Sequence, residues 1–157
     1  MIEFLTHRKA TIHDLRAVID LLLEDDLGQT RESKQPELDE RYIHAWRQID
    51  SDPNQYLMVV ENNEEIIATS HLTIMPSLTF IGSTRMQIEA VRVVGKYRGQ
   101  KIGGWMFAQA ILYAKEHGAS IIQLTTNKKR PKAKNFYETL GFESSHEGMK
   151  LYLDKNV

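Results

Sequence analysis

The chain has no cysteine. Disulfide frameworks, thiol nucleophiles and thiolate metal sites are therefore excluded. No apolar run approaches the roughly 20 residues that span a bilayer. The first residues, Met1-Ile2-Glu3-Phe4-Leu5, carry an acid and lack the basic region and long apolar stretch of a signal peptide. A soluble cytoplasmic protein is the expectation. Net charge is also scarce: 20 Lys and Arg against 21 Asp and Glu leave −1. That removes the bulk electrostatic argument for nucleic acid or a membrane as partner. The six histidines, at positions 7, 13, 44, 71, 117 and 146, show no metal-ligand spacing. No metal is expected. There is no internal repeat, low-complexity segment or interdomain linker.

What remains is an ordinary globular composition in 157 residues, enough for one domain, 1–157, with a real core. Ile2 to His7 has strand-like composition. Thr11-Ile12-His13-Asp14 predicts a helix start with a capping box, and Leu15, Val18, Ile19, Leu22 and Leu23 follow helical spacing. Asp25 to Glu37 is polar, broken by Gly28 and Pro36, and reads as a mobile loop. A second helix is expected from about Leu38 to Asp50. Gln55 to Glu61 and Glu65 to Pro76 read as a hairpin around Asn62-Asn63-Glu64. Arg85 to Val94 is a further strand. Ile102 to His117 reads as a helix, Ile121 to Thr125 as a central strand, and Pro131 to Leu140 as a helix closed by Gly141. Phe142 to Leu153 is expected to supply a final strand or strand pair.

Between the third hairpin-side strand and its helix lies Arg98-Gly99-Gln100-Lys101-Ile102-Gly103-Gly104. A helix N-terminus carries unsatisfied N–H groups and partial positive charge. Glycines let the backbone approach an anion closely. The turn can therefore hold phosphate oxygens without side chains. It lacks the Gly-Lys-Ser/Thr ending of a nucleotide-triphosphatase loop, and the G-x-G-x-x-G dinucleotide pattern is absent. By itself the turn is equally a strand-to-helix connection with no ligand.

Two stretches carry a family resemblance. Val91-Arg92-Val93 with Tyr97-Arg98-Gly99-Gln100-Lys101-Ile102-Gly103-Gly104 resembles the R/Q-x-x-G-x-G/A motif of the GNAT acetyltransferase superfamily. Asn135-Phe136-Tyr137-Glu138-Thr139-Leu140-Gly141-Phe142 resembles its second motif. His146-Glu147-Gly148-Met149-Lys150 is similar to the tail of a bacterial subgroup. The resemblance covers most of the chain. It implies an α/β fold of the α+β kind, a single acyl-CoA N-acyltransferase domain with a splayed mixed sheet flanked by helices. It implies acetyl-CoA as donor and an amine of a small molecule or peptide as acceptor. The backbone of Val91 and Val93 would meet the pantetheine, with Arg92 between them. Amides from Arg98, Gly99, Gln100, Lys101, Ile102, Gly103 and Gly104 would hold the pyrophosphate. Arg130, Ala133 and Phe136, on and before the tyrosine helix, complete the expected CoA contacts. Lys101 departs from the pattern by standing at the motif's first glycine. Arg130 stands where the family often has asparagine.

Acetylating an amine requires it neutral, which at pH 7 costs roughly 4–5 kcal/mol for a lysine-like group. Glu89 is the first candidate base, since strand alternation puts it on the face of Val91. The alternative is a salt-bridged or solvated strand carboxylate. His71 and Glu61 are weaker candidates. Tyr137, matched to the family's tyrosine, is the candidate acid for the leaving thiolate. The alternative is a core tyrosine. The run Asn127-Lys128-Lys129-Arg130-Pro131-Lys132-Ala133-Lys134 is either a solvated face or an attractor for CoA phosphates. Glu24, Asp25, Asp26, Glu32 and Glu37 suggest an acidic mouth suited to a cationic amine. A homodimer is left open. The competing function is a module that binds acetyl-CoA or CoA as a sensor without turnover.

Overall fold

The computed structural model describes residues 4–154. The chain divides into two compact units, Met1–Gln123 and Leu124–Val157. In chain order the first carries β1 (Leu5–Lys9), a 3-10 turn at Ile12–Asp14, α1 (Leu15–Leu23), α2 (Asp26–Gln29), α3 (Glu40–Ser51), β2 (Gln55–Asn62) and β3 (Glu65–Met75). The one-turn α4 (Thr79–Gly82), β4 (Thr84–Val93), a second 3-10 turn at Gly95–Tyr97 and α5 (Ile102–Glu116) follow. β5 (Ala119–Leu124) runs to the boundary, and α6 (Pro131–Thr139) lies in the second unit. Ile2 and Glu3, the start of the expected first strand, lie outside the described residues.

The strands form one sheet in the order β1-β2-β3-β4-β5. β1 to β4 pair antiparallel in succession. β5 follows β4 through the crossover helix α5, the connection that turns an antiparallel meander into a mixed sheet. The hairpin between β2 and β3 is tight because Asn63 and Glu64 both take positive φ, 49° and 67°.

Each face of the sheet has its own helical cover. Leu57 and Val59 of β2 pack with Ala10 and Val18, and Trp46 and Ile49 of α3 close over them. Met58 and Val60, pointing the other way, are fully buried with Leu72, Met86 and Ile88. α5 supplies that second side. Ile102, Met106, Ala110 and Ala114 recur every four residues along one face and are all buried, with Phe107 beside them. Tyr113 of α5 lies against Tyr56 of β2, ring centroids 4.6 Å apart. Each large apolar side chain so enclosed contributes about 1.5–3 kcal/mol.

The expected capping box is present. Asp14 Oδ2 accepts from the Thr11 amide at 2.6 Å. Arg8 then donates to Asp14 at 2.7 and 3.0 Å and to Glu61 at 2.6 Å, tying β1, the helix start and β2 together. The Arg8 hydrogen bonds hold the Asp14 carboxyl down at about 2, against desolvation pushing it up.

Three expectations are corrected. β5, expected as a central strand, stands at the edge of the sheet beside β4. The segment Asp25–Glu37 contains the helical turn α2, capped by Asp25 Oδ1 accepting from the Gly28 amide at 2.7 Å. Residues 142–154 contain no strand. Met149, Leu151 and Leu153 alternate as a strand would, yet are 93, 86 and 93% exposed, so no burial rewards extended pairing there.

Candidate active site

The turn before α5 is built by long-range ties. Glu24 Oε2, at the end of α1, accepts from the Gly95 amide at 2.8 Å and from Arg98 at 3.2 Å. Arg98 Nε also donates to the Val93 carbonyl at 3.0 Å. Glu65 takes Lys96 and the Tyr97 hydroxyl at 2.7 and 3.0 Å. The backbone then swings through Gly99 at φ 79° and Lys101 at φ 64°, and α5 starts at Ile102. Lys101 stands at the first glycine of the motif. Its left-handed φ costs roughly 1 kcal/mol for a residue with a Cβ. It is the position a glycine would fill more cheaply.

No side chain caps α5, and its first backbone bond is Trp105 N to Lys101 O at 3.0 Å. The amides of the first turn therefore lack intrahelical partners. A Cβ built at Gly99 or Gly104 meets nothing within 4 Å, so the approach is open. A 15-residue helix with an uncapped, glycine-lined N-terminus fits a pyrophosphate. Arg98 is already engaged with Glu24 and Val93, so backbone amides, more than its guanidinium, suit the phosphates.

β4 departs from the sequence reading in an informative way. Arg92 pairs with Thr69 and Glu89 pairs with His71. Two residues, Ala90 and Val91, thus stand opposite the single Ser70: a β-bulge, with Ala90 at φ 52°. Simple alternation put Glu89 on the face of Val91. The extra residue breaks that relation. Glu89 instead shares a face with Arg92, opposite His71 and Thr69. This is the face covered by α1 and α3, and Arg92 Nε lies 3.8 Å from Asp25 there.

Beside Glu89 a hydrogen-bonded chain reaches α3. His71 Nε2 lies 2.6 Å from Gln55 Oε1, and Thr73 Oγ1 donates to the same oxygen at 2.9 Å. Gln55 Nε2 donates to Asp52 Oδ2 at 3.4 Å. A cavity of about 290 Å³ is lined by His71, Gln55, Asp52, Ile49, Gln48 and Ala45. Burial lowers the His71 pKa, partly countered by the Glu89 charge. Asp52 and Gln55 carried no signal in the sequence, since their roles depend on α3 folding back over the hairpin.

The acidic mouth is mostly spent on structure. Glu24 holds the Gly95–Arg98 loop, Asp25 caps α2, and Glu32 accepts from the Tyr42 hydroxyl at 2.6 Å. In the second unit, Arg130 precedes α6, whose first residue is Pro131. Phe136 and Phe142 flank Tyr137 with ring centroids at 5.6 and 6.1 Å. Lys134 pairs with Glu138 at 3.7 Å.

The fold agrees with comparisons to known proteins. The Acetyltransferase (GNAT) family model matches residues 16–142, and the chain belongs to that family. It is 34% identical over 98 residues to an aminoalkylphosphonate N-acetyltransferase from Salmonella typhimurium, covering 60% of this chain and 61% of that protein. A crystal structure of a transcriptional regulator from Bacillus halodurans superposes with a TM-score of 0.92 at 44% identity, covering 96% of this chain and all of the other. Glucosamine-6-phosphate N-acetyltransferase from Arabidopsis thaliana superposes at 0.78 with 25% identity, covering 97% and 100%.

Proposed function

We propose that this chain moves acetyl from acetyl-CoA directly to a primary amine of a small molecule. The observation that carries the reading is the uncapped α5 N-terminus beside a bulged β4, in a chain of the acetyltransferase family. The match from 16 to 142 supports reading the chain as one acetyltransferase domain. Bound acetyl-CoA supplies an activated acyl carbon. The chain's contribution is to hold the phosphates on the α5 amides, to orient the acceptor, and to receive a proton on the Glu89 side of the sheet.

The acceptor reading shifts from that of the sequence. With Glu24, Asp25 and Glu32 engaged, a broadly acidic mouth loses support. The aminoalkylphosphonate-acetylating relative favours an amine with an anionic tail instead. Tyr137 is the proposed donor to the leaving sulfur. Tyr137→Phe is expected to lower kcat about 10-fold or more with little change in acetyl-CoA affinity, read by steady-state kinetics.

The reading is tested by CoA release, followed with a thiol reagent across amines with phosphonate, carboxylate and uncharged tails. Release with the phosphonate-tailed amines above the rest is expected. The 44% identical relative described as a transcriptional regulator favours a second reading, an acetyl-CoA-binding sensor. Tight acetyl-CoA binding with no release by any amine is its outcome.

A further inference from the structure

The Asp52–Gln55–His71 chain fixes the tautomer of the neutral His71 ring. Asp52 Oδ2 accepts from the Gln55 amide nitrogen, and a carboxylate can only accept. The Gln55 amide oxygen therefore faces the other way, toward Thr73 Oγ1 and His71 Nε2. An oxygen opposite Nε2 requires that nitrogen to carry the hydrogen. Neutral His71 is held as the Nε2–H tautomer, with its lone pair on Nδ1. Among the described residues no hydrogen bond reaches Nδ1. The ring lines the cavity under α3 and sits across the β3–β4 ladder from Glu89. The charged groups on this side are Glu89 from β4, with Arg85 and Arg92 further along that strand in either direction, Asp25 beside Arg92, and Asp52 from the end of α3. Gln48, Gln55 and Thr73 are neutral.

A carboxylate alone is a poor match to this proton transfer. Glu has a reference pKa near ~4.3, far below an amine, and imidazole one near ~6.5; burial lowers that of His71, which favours the neutral ring with its Nδ1 lone pair free. We infer that His71 is the catalytic base, taking the acceptor's proton on Nδ1, with Glu89 stabilising the imidazolium and Gln55, oriented by Asp52, as the positioning residue. In the balanced step the amine nitrogen bonds to the acyl carbon and the carbon–sulfur bond breaks. One proton passes from nitrogen to His71 Nδ1. The thiolate takes a proton from Tyr137 or solvent. This rests on the acetyl-transfer reading and refines its base.

The test uses the full-length protein in two measurements. Ring nitrogen chemical shifts of His71, measured without acetyl-CoA, are expected to report the Nε2–H tautomer; the Nδ1–H tautomer overturns the proposal. The pH dependence of kcat/KM is then compared among variants. His71→Gln is expected to lose about 100-fold in kcat and to lose the acid limb. Glu89→Gln should move that limb to lower pH, and Gln55→Glu should move it to higher pH. A limb unmoved in both, or retained in His71→Gln, overturns the assignment. If Glu89→Gln abolishes turnover while His71→Gln keeps it, Glu89 is the base and the acetyl-transfer reading stands. If the unmodified protein acetylates no amine, that reading itself fails, while the tautomer measurement still decides the hydrogen-bond chain.

Discussion

The turn before α5 follows the C-terminal end of β4 and Glu89 lies in the middle of that strand, yet the two regions are built in different ways. The turn works through backbone amides, so almost any sequence with glycine at the tight points would make it. Even Lys101, strained at φ 64°, can be tolerated there. The Glu89 face works through side chains whose direction is set by one inserted residue. Ala90 at φ 52° shifts every position on one side of it to the other face. Backbone sites tolerate substitution; side-chain sites on a strand depend on register.

The largest test of that difference is deletion of Ala90. Restored alternation would carry Glu89 or Arg92 to the wrong face, and turnover is expected to fall by at least about 100-fold, with acetyl-CoA binding by calorimetry changing far less. Equal turnover would mean that the bulge does not position the acceptor side. Next, Gly104→Asp sets a carboxylate where the phosphates are proposed to lie. The space there is open, so folding should be retained, while KM for acetyl-CoA rises roughly 30-fold, or about 2 kcal/mol. An unchanged KM would move the phosphates elsewhere.

A control lies outside both regions. Asp14→Asn weakens the cap and the Arg8 knot and should cost about 1–2 kcal/mol at pH 7, measured by urea unfolding. The Asp14 pKa is depressed to about 2 by Arg8, so its stabilisation is full above the unfolded-state value near ~4. It is lost as pH falls from there through about 2, and the difference between wild type and variant should close over that window. Kinetic constants at pH 7 should stay the same. The smallest effect is expected from Lys101→Gly. Relief of the left-handed strain should stabilise by about 0.5–1 kcal/mol, with KM for acetyl-CoA within a few-fold. Destabilisation would show that the lysine side chain is needed by the fold.

The same contrast explains what could be read from the sequence. The capping box at Thr11 and Asp14, the helical spacing of α1 and α5, the hairpin at Asn63-Glu64 and the glycine turn are local patterns, and each appears where expected within a few residues. The bulge was illegible because alanine carries no mark of positive φ. The pairing of Glu24 with Gly95 and Arg98 spans more than 70 residues and could not be seen in a charge count. Nor could the chain from Asp52 to His71, which exists only once α3 lies over β2 and β3. The expected last strand failed because alternation predicts a strand only where a surface waits to bury it, and Met149, Leu151 and Leu153 remain in solvent.

The most direct measurement follows acetyl-CoA labelled with carbon-13 at the carbonyl, mixed with this protein and an aminoalkylphosphonate. The labelled carbon is predicted to move from the thioester resonance to an amide resonance at a rate proportional to enzyme. A thioester signal that persists with every amine offered, while acetyl-CoA remains bound, would contradict the assignment of this chain as an acetyltransferase acting on small amines.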